Sequence, residues 1–566
     1  MNKGLPMKIL LLPLLLASVS PLSAQSPAQA DTLRTRATRI QVSEAGVREH
    51  ARFGGTANRI GGTQELTSAG SLWTHTDGGA AWVAEAVAIG DEGGQVLVEY
   101  GLNNEAVALL SSYDANPPAV VWTDNTPLDS EFQRVDSARS TANHVTLDQV
   151  VLGGNFQTRQ AVVRKYTSSS ASPDWTYTFA PVIDSTAKVA ISRDGSIIVA
   201  AIMNNNTASM EIAVFDALSG TPTSYTVLPP GSSTNFRGWD LSADGSTLYF
   251  TQSNTVHLFD VGTASVIFTT NIGSGFDSHA ISGDGSVFAF GRFNSISIWE
   301  RSGGTYANTI TKTLGGQVYC AQVDISDDGS TVAYGWYYYA PGLTIQINAL
   351  DVASGAVTMT DIVVGAGTFQ NLVADISCSA DGSRFAVGLW GDEAGLADEV
   401  RVYSKTLDAP VQTANLPGSV FDIDISADGQ RVVAGSKAVH ANTFGHGGQV
   451  DLVDTGGEDL ILRGAPKIGR IPALEIHGPP GNPSFLLSAG QPQDPPILFP
   501  ALGTLHVHRA TILITHIGSM PASGTLAVPF GIANDPALIG TTGYYQVLFL
   551  SPRRLTQDWI KLTFLP

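Results

Sequence analysis

Three stretches gather the side chains best suited to gripping a ligand: GWYYYAPGLT (335–344), LWGDEAGLADE (389–399) and KAVHANTFGHGGQ (437–449). They hold Trp336, Tyr337, Tyr338, Tyr339, Trp390, Asp392, Glu393, His440, Phe444 and His446. An aromatic face can stack on a sugar or a peptide side chain while carboxylates and imidazoles bond its polar groups. The same rings could instead pack each loop onto its own strands, and their loss would then lower stability.

Elsewhere the candidates are scattered. His279 stands where sibling segments place Val189, Trp239, Val323, Ile376 and Ile423. A polar ring in that series suits a ligand contact or general base in a central channel; the alternative is a core histidine bonded to a nearby carbonyl. His506 and His508 share one face of a strand, with His516 as a third imidazole, the raw material of a zinc site. No carboxylate or cysteine accompanies them at matching spacing, so a surface role is expected. Asp324, Asp327 and Asp328 lack the spacing and terminal Glu of a calcium loop. No G-x-S-x-G elbow, H-E-x-x-H pair or phosphate-cradling glycine loop occurs. Asp392 and Glu393 are adjacent and point apart on an extended chain. No catalytic residue, metal or cofactor is therefore assigned.

The elements that must position these residues are written as repeats. Six stretches align without gaps: AISRDGS (190–196), DLSADGS (240–246), AISGDGS (280–286), DISDDGS (324–330), SCSADGS (377–383) and DISADGQ (424–430). Their glycines, from Gly195 to Gly429, are spaced 40 to 53 residues apart. Such periods mark stacked supersecondary units, with propellers the main β-type solution. AIGDEGG (88–94) is a degenerate copy, and HVTLDQVVLGGNFQTRQAVVRKY (144–166) fills an eighth unit without the Asp-Gly. Each unit offers four strand-like runs. The first ends in Asp-Gly, a pair that suits a tight hairpin because both residues tolerate φ > 0. The second is apolar (RFAVGLW), the third alternates (TVHLFD), and the fourth often carries Trp. Trp73, Trp122 and Trp175 recur at intervals of 49 and 53. Four antiparallel strands per unit make a propeller blade.

On ISADG, RVVAGS, QVDLVDTGG and SISIWE, residues 70–465 resemble the WD40-like and quinoprotein-like β-propeller superfamily. That resemblance implies a closed ring with loops on two rims; the fold hosts many activities. The predicted class is all-β: a seven- or eight-bladed β-propeller, eight preferred, followed by a small β-sandwich. Eight first-strand signatures face nine fourth-strand candidates, from SLWTHT to DLILRG, so SLWTHT is expected to complete the last blade. After Arg470 the repeats stop, and short strands between Pro/Gly turns predict the sandwich over 471–566. GPPGNPSFLLSAG, FGIANDPALIGTTGYYQ and LTQDWIKLTFL resemble a C-terminal β-domain of secreted bacterial repeat proteins. That resemblance implies attachment or export sorting.

Lys3 and Lys8 precede the apolar run Ile9–Leu16, with small residues after it. This is the layout of a signal peptide over 1–30, cleaved after Ala24 or Ala30. The run is too short to span a bilayer, and no later one approaches that length. Residues 31–69 read as an extended lead-in. Net charge is −19, and −21 once the leader's two lysines are gone. Without a basic stripe to meet phosphates, nucleic-acid binding is disfavoured and no nucleic-acid partner is expected. Cys320 and Cys378, the two cysteines, are expected to be free structural thiols. The expected protein is a monomeric, secreted, periplasmic or cell-surface propeller that binds a protein or glycan through its rim loops without catalysis. The alternative is a propeller lactonase, lyase or quinoprotein-type oxidoreductase with its site at the central channel.

Overall fold

The computed structural model describes residues 71–566 apart from 77–82, 91–94, 101–106, 112–117, 126–129, 138–142, 153–157, 184–185, 231–235, 253, 273–277, 317, 339–343, 368–370, 393–394, 441–446, 456–459, 464, 478–480, 500–502, 522–524, 551–552 and 557–558. The expected leader and lead-in lie outside the described residues.

The repeated turn is built from its own side chains. Ser242 Oγ donates to Asp244 Oδ1 (2.6 Å) and accepts from Thr247 N (2.9 Å), while Asp244 Oδ1 accepts from Ser246 N (2.8 Å). The same three bonds recur at Ser192, Ser282, Ser326, Ser379 and Ser426. Only the glycine enters the left-handed region, with φ 72° at Gly245. The tight hairpin expected of Asp-Gly is thus a wider turn, in which Asp serves as an acceptor instead of adopting φ > 0.

These turns join the first two strands of consecutive antiparallel sheets. We number the sheets one to eight by their first strands: Ala84–Ile89, Ser130–Ser137, Ala187–Ile191, Phe236–Leu241, Ser278–Ile281, Val318–Ile325, Val373–Cys378 and Val420–Ile425. Sheet two has five strands and the others four. Each first strand lies against the next, and that of sheet eight returns to sheet one. The fold is a β-propeller. Ser71–Thr76 supplies the fourth strand of sheet eight by pairing with Gly448–Asp454, and Thr74 Oγ1 donates to Asp451 Oδ1 at 2.6 Å.

With that slot filled from the N-terminal side, Leu460–Arg463 pairs elsewhere, with Ala473–His477. The C-terminal unit therefore begins near Leu460, ahead of the expected 471. Its two main sheets share one core that includes Leu474, Ile476, Val547 and Phe549.

Packing between sheets explains the spaced tryptophans. Trp122 stacks on Tyr166 and Trp175 on Phe215, each with centroids 5.2 Å apart. A fourth-strand ring thus covers the third strand of the following sheet. Sheets three and four share Val199, Ile212, Leu248, Phe250 and Phe259, all fully buried. At about 1.5–3 kcal/mol for each large apolar side chain, such seams supply the main cohesion of the ring.

Candidate functional site

The innermost strands surround a central channel of about 200 Å³, lined by Asp136, Lys188, Asp240, His279, Asp324 and Asp424, among others. Its carboxylates hold neighbouring sheets together. Asp136 Oδ2 accepts from Ile191 N (2.9 Å), Asp240 Oδ2 from Ile281 N (3.0 Å), Asp324 Oδ2 from Cys378 N (2.7 Å) and Asp424 Oδ2 from Ile89 N (3.0 Å). The equivalent position in the sheets between them is Ala88, Ala190, Ala280 and Ser377. Asp and a small residue therefore alternate around the hub. Two residues earlier along the strands, Asp422 Oδ2 accepts from Val87 N at 2.9 Å.

The mouth on the turn side is tied as well. Backbone bonds run from turn to turn: Arg193 N to Ala243 O, Asp244 N to Gly283 O, Gly283 N to Asp327 O, Asp328 N to Ala380 O and Ala380 N to Ala427 O, all 2.8–3.1 Å. Arg193 of sheet three pairs with Asp327 of sheet six, crossing the opening. The channel is thus small and bridged at one end.

His279 lines this channel, but its Nε2 sits 2.7 Å from Trp239 N and 3.0 Å from Trp239 O in sheet four. Depending on tautomer it accepts from the first or donates to the second. Its ring stacks on Tyr249 at 5.3 Å. The side chain bridges two sheets, the satisfied-core alternative.

The rim-loop residues require a correction. Trp336, Tyr337 and Tyr338 belong to the strand Thr331–Tyr338, paired on one side with Val318–Ile325 and on the other with Thr344–Asp351. Aromatic side chains suit a pleated surface, so the extra residues lengthen the sheet where a loop was expected. Trp336 is 2 % exposed and Tyr337 4 %. Tyr337 stacks on Tyr319, and the half-buried Tyr338 donates from its hydroxyl to Gln346 Oε1 at 3.1 Å. Trp390 is 4 % exposed, within the core shared by sheets six and seven. Asp392 is fully buried and accepts from Leu396 N (2.7 Å), Ala397 N (2.8 Å) and Ala366 N (2.5 Å). Trp336, Tyr337, Trp390 and Asp392 are thus buried, where exposed loop side chains were expected. Tyr339, Glu393, Phe444 and His446 lie outside the described residues.

His440 does meet a carboxylate, though one that sequence reading passed over. Its Nε2 lies 3.1 Å from Glu399 Oε1, while Glu399 Oε2 accepts from Leu416 N at 2.7 Å. Glu399 is fully buried, and that burial, with Asp398 and Asp392 nearby, pushes its carboxyl up to about 8. Gly391 makes room for the pair. Its φ is 74°, and a Cβ there would collide with Glu399 Oε1. Nothing in the spacing of 399 and 440 announces the contact, because it forms between loops of adjacent sheets.

The three C-terminal histidines go to separate partners: His506 stacks on Trp559, His508 Nδ1 bonds Thr511 Oγ1 at 3.2 Å, and His516 packs on Phe485. Among the described residues, no three His, Cys, Asp or Glu side chains are placed to hold a metal ion. Cys320 and Cys378 are free and buried in different cores. No described helix is long and apolar enough to cross a membrane.

No family model and no curated protein matches this chain. Among solved structures it is similar to a chain of the "Crystal Structure of Mitotic Checkpoint Complex", with a TM-score of 0.39 and 14% identity over 70% of this chain and 98% of that one.

Proposed function

We propose that this protein is an exported, non-catalytic binding scaffold, an eight-bladed propeller that presents a protein or glycan ligand surface while its C-terminal unit serves attachment or sorting. One observation carries the reading: four of the hub's carboxylates and the Arg193–Asp327 pair are committed to holding the ring together. Asp136, Asp240, Asp324 and Asp424 accept backbone N–H groups of the next sheet, and Arg193 closes on Asp327. The enclosed space of about 200 Å³ falls below the ~300–1,000 Å³ typical of small-molecule sites. A rigid ring whose polar interior is already bonded suits recognition at its periphery.

The test uses the full chain expressed with its own leader. Fractionation and N-terminal sequencing should find it outside the cytoplasm, starting at Gln25 or Asp31. The mature protein is then probed on envelope-protein and glycan arrays, beside turnover assays with lactones, polyuronides and dye-linked alcohol oxidation. Retention of Met1, or turnover abolished by changing His279, would overturn the proposal.

A further inference from the structure

The C-terminal unit leaves one strand unfinished. Leu513–Ser519 ends its five-stranded sheet, paired on one side with Pro483–Ala489 and, among the described residues, with no strand on the other. That sheet is covered on both faces. Leu486 lies in the core shared with Leu474 and Val547, and Leu487 in a second core with Leu505 and Val507. One strand further out the cover stops. Ile514, directly opposite the buried Leu487, is 61% exposed, and Leu513, on the other face, is 69% exposed. Thr515 and His516 are exposed as well.

This edge lacks most of what guards an exposed strand, namely shortness, charge or proline. The opposite edge of the same sheet has two of the three. It is made of Arg553–Leu555 and Ile560–Thr563, three and four residues long, and their sequences include Arg553, Arg554 and Lys561. Leu513–Ser519 is seven residues long without proline, and from Ala510 to Asn534 the chain has no Asp, Glu, Lys or Arg. A register shift at Ile517 is its one irregularity, and Leu513–His516 runs in register before it.

We propose that Leu513–Ser519 pairs with the same strand of a second copy, antiparallel about a two-fold axis, so that two C-terminal units share one continuous sheet. The pairing satisfies the open backbone N–H and C=O groups and extends the apolar cover over Leu513 and Ile514 on both faces. Charge selects the occupant. Two copies of a chain with net charge −19 repel, and this neutral strip is where they can approach. A charged strand from another protein would find no counter-charge on it. A bilayer would cover the apolar side chains but leave the edge's backbone groups without hydrogen-bond partners. Because the far edge of the sheet is short and charged, association stops at two, as an isologous contact requires. The contact is small, so the dimer is weak and reversible.

The mature full chain is followed by sedimentation velocity over a wide range of concentration, beside hydrogen exchange of the edge strand. A dimer should grow with concentration, with no larger species, and exchange at 513–516 should slow in step with it. Ile514→Lys should weaken the dimer about ten-fold or more, since pairing about the axis brings the two added ammoniums together. Its melting temperature should stay put, because Ile514 is exposed; Leu513→Lys repeats the test from the other face and decides it if Ile514→Lys fails to fold. A single species at every concentration overturns the proposal, and so does a dimer that both lysine variants leave intact. Protection at 513–516 that is independent of concentration means that the chain covers its own edge, and an open-ended series of oligomers means that the contact does not close; each overturns it. Protection gained only with phosphatidylcholine vesicles, or only with an envelope-protein fraction, assigns the edge to a bilayer or a foreign strand and overturns it too.

Discussion

Replacing Asp392 by alanine separates a ligand-facing role from a bracing one. On the sequence reading its carboxylate faces a ligand, and Asp392→Ala should reduce binding with little change in melting. In the structure the side chain is fully buried and accepts three backbone N–H groups, from Ala366, Leu396 and Ala397. Each buried donor left without a partner costs about 1–3 kcal/mol. Water entering the vacated space offsets part of this, so we expect a loss of about 3 kcal/mol. Unfolding entropy is about 2.1 cal/mol/K per residue, so a ring of roughly 390 residues has about 0.8 kcal/mol/K. The expected fall in melting temperature is then about 4 °C, read by calorimetry on the full chain. Asp392→Asn should lie between the two, since one carbonyl oxygen remains to accept. A shift below about 1 °C is what an exposed surface substitution would give, and it would refute the buried-acceptor account.

Other expectations follow from the same geometry. Burial raises the Glu399 carboxyl to about 8, above its unfolded value, so its contribution is fully present below the unfolded pKa and is lost as pH rises through 8. Melting curves from pH 5 to 9 should therefore show Glu399→Gln gaining on the wild type as pH rises; parallel curves would contradict this. Gly382→Ala should cost clearly more than Gly303→Ala, although their φ values are 62° and 58°, because a Cβ at 382 meets Thr331 whereas at 303 nothing lies within 4 Å. Equal chemical-denaturation midpoints would refute that packing. Burial pushes the Cys320 thiol up to about 12, so neither buried cysteine should react with a thiol reagent until denaturant is added. Labelling in native buffer would count against the core placement.

What the sequence disclosed was what is local. Ser-x-Asp-Gly closes its turn with its own side chains, so six copies could be aligned and the propeller read from them. The Trp spacing was legible for a related reason: Trp122 and Trp175 each reach the third strand of the following sheet. Trp336 and Tyr337 were misplaced because a run of aromatics beside Pro and Gly fits a decorated loop as well as the end of a long strand. Pairing with Val318–Ile325 decides between them, and that partner strand carries no signal of its reach. Glu399–His440 stayed hidden because it is assembled from segments far apart in the chain. Their residue types are ordinary, and only the fold brings them together.

The alternation of Asp with Ala or Ser at the hub has a consequence for how such a ring can change. Reading round the cycle, Asp136, Asp240, Asp324 and Asp424 each grip the strand ahead, and the strand gripped has a small residue at the matching position. The hub is therefore counted in twos. Removing or adding a single repeat would bring two carboxylates into succession or leave two small residues facing each other. Either arrangement breaks the pattern at one seam. Parity thus constrains the gene: recombination that trades paired repeats preserves the hub, whereas trading one does not.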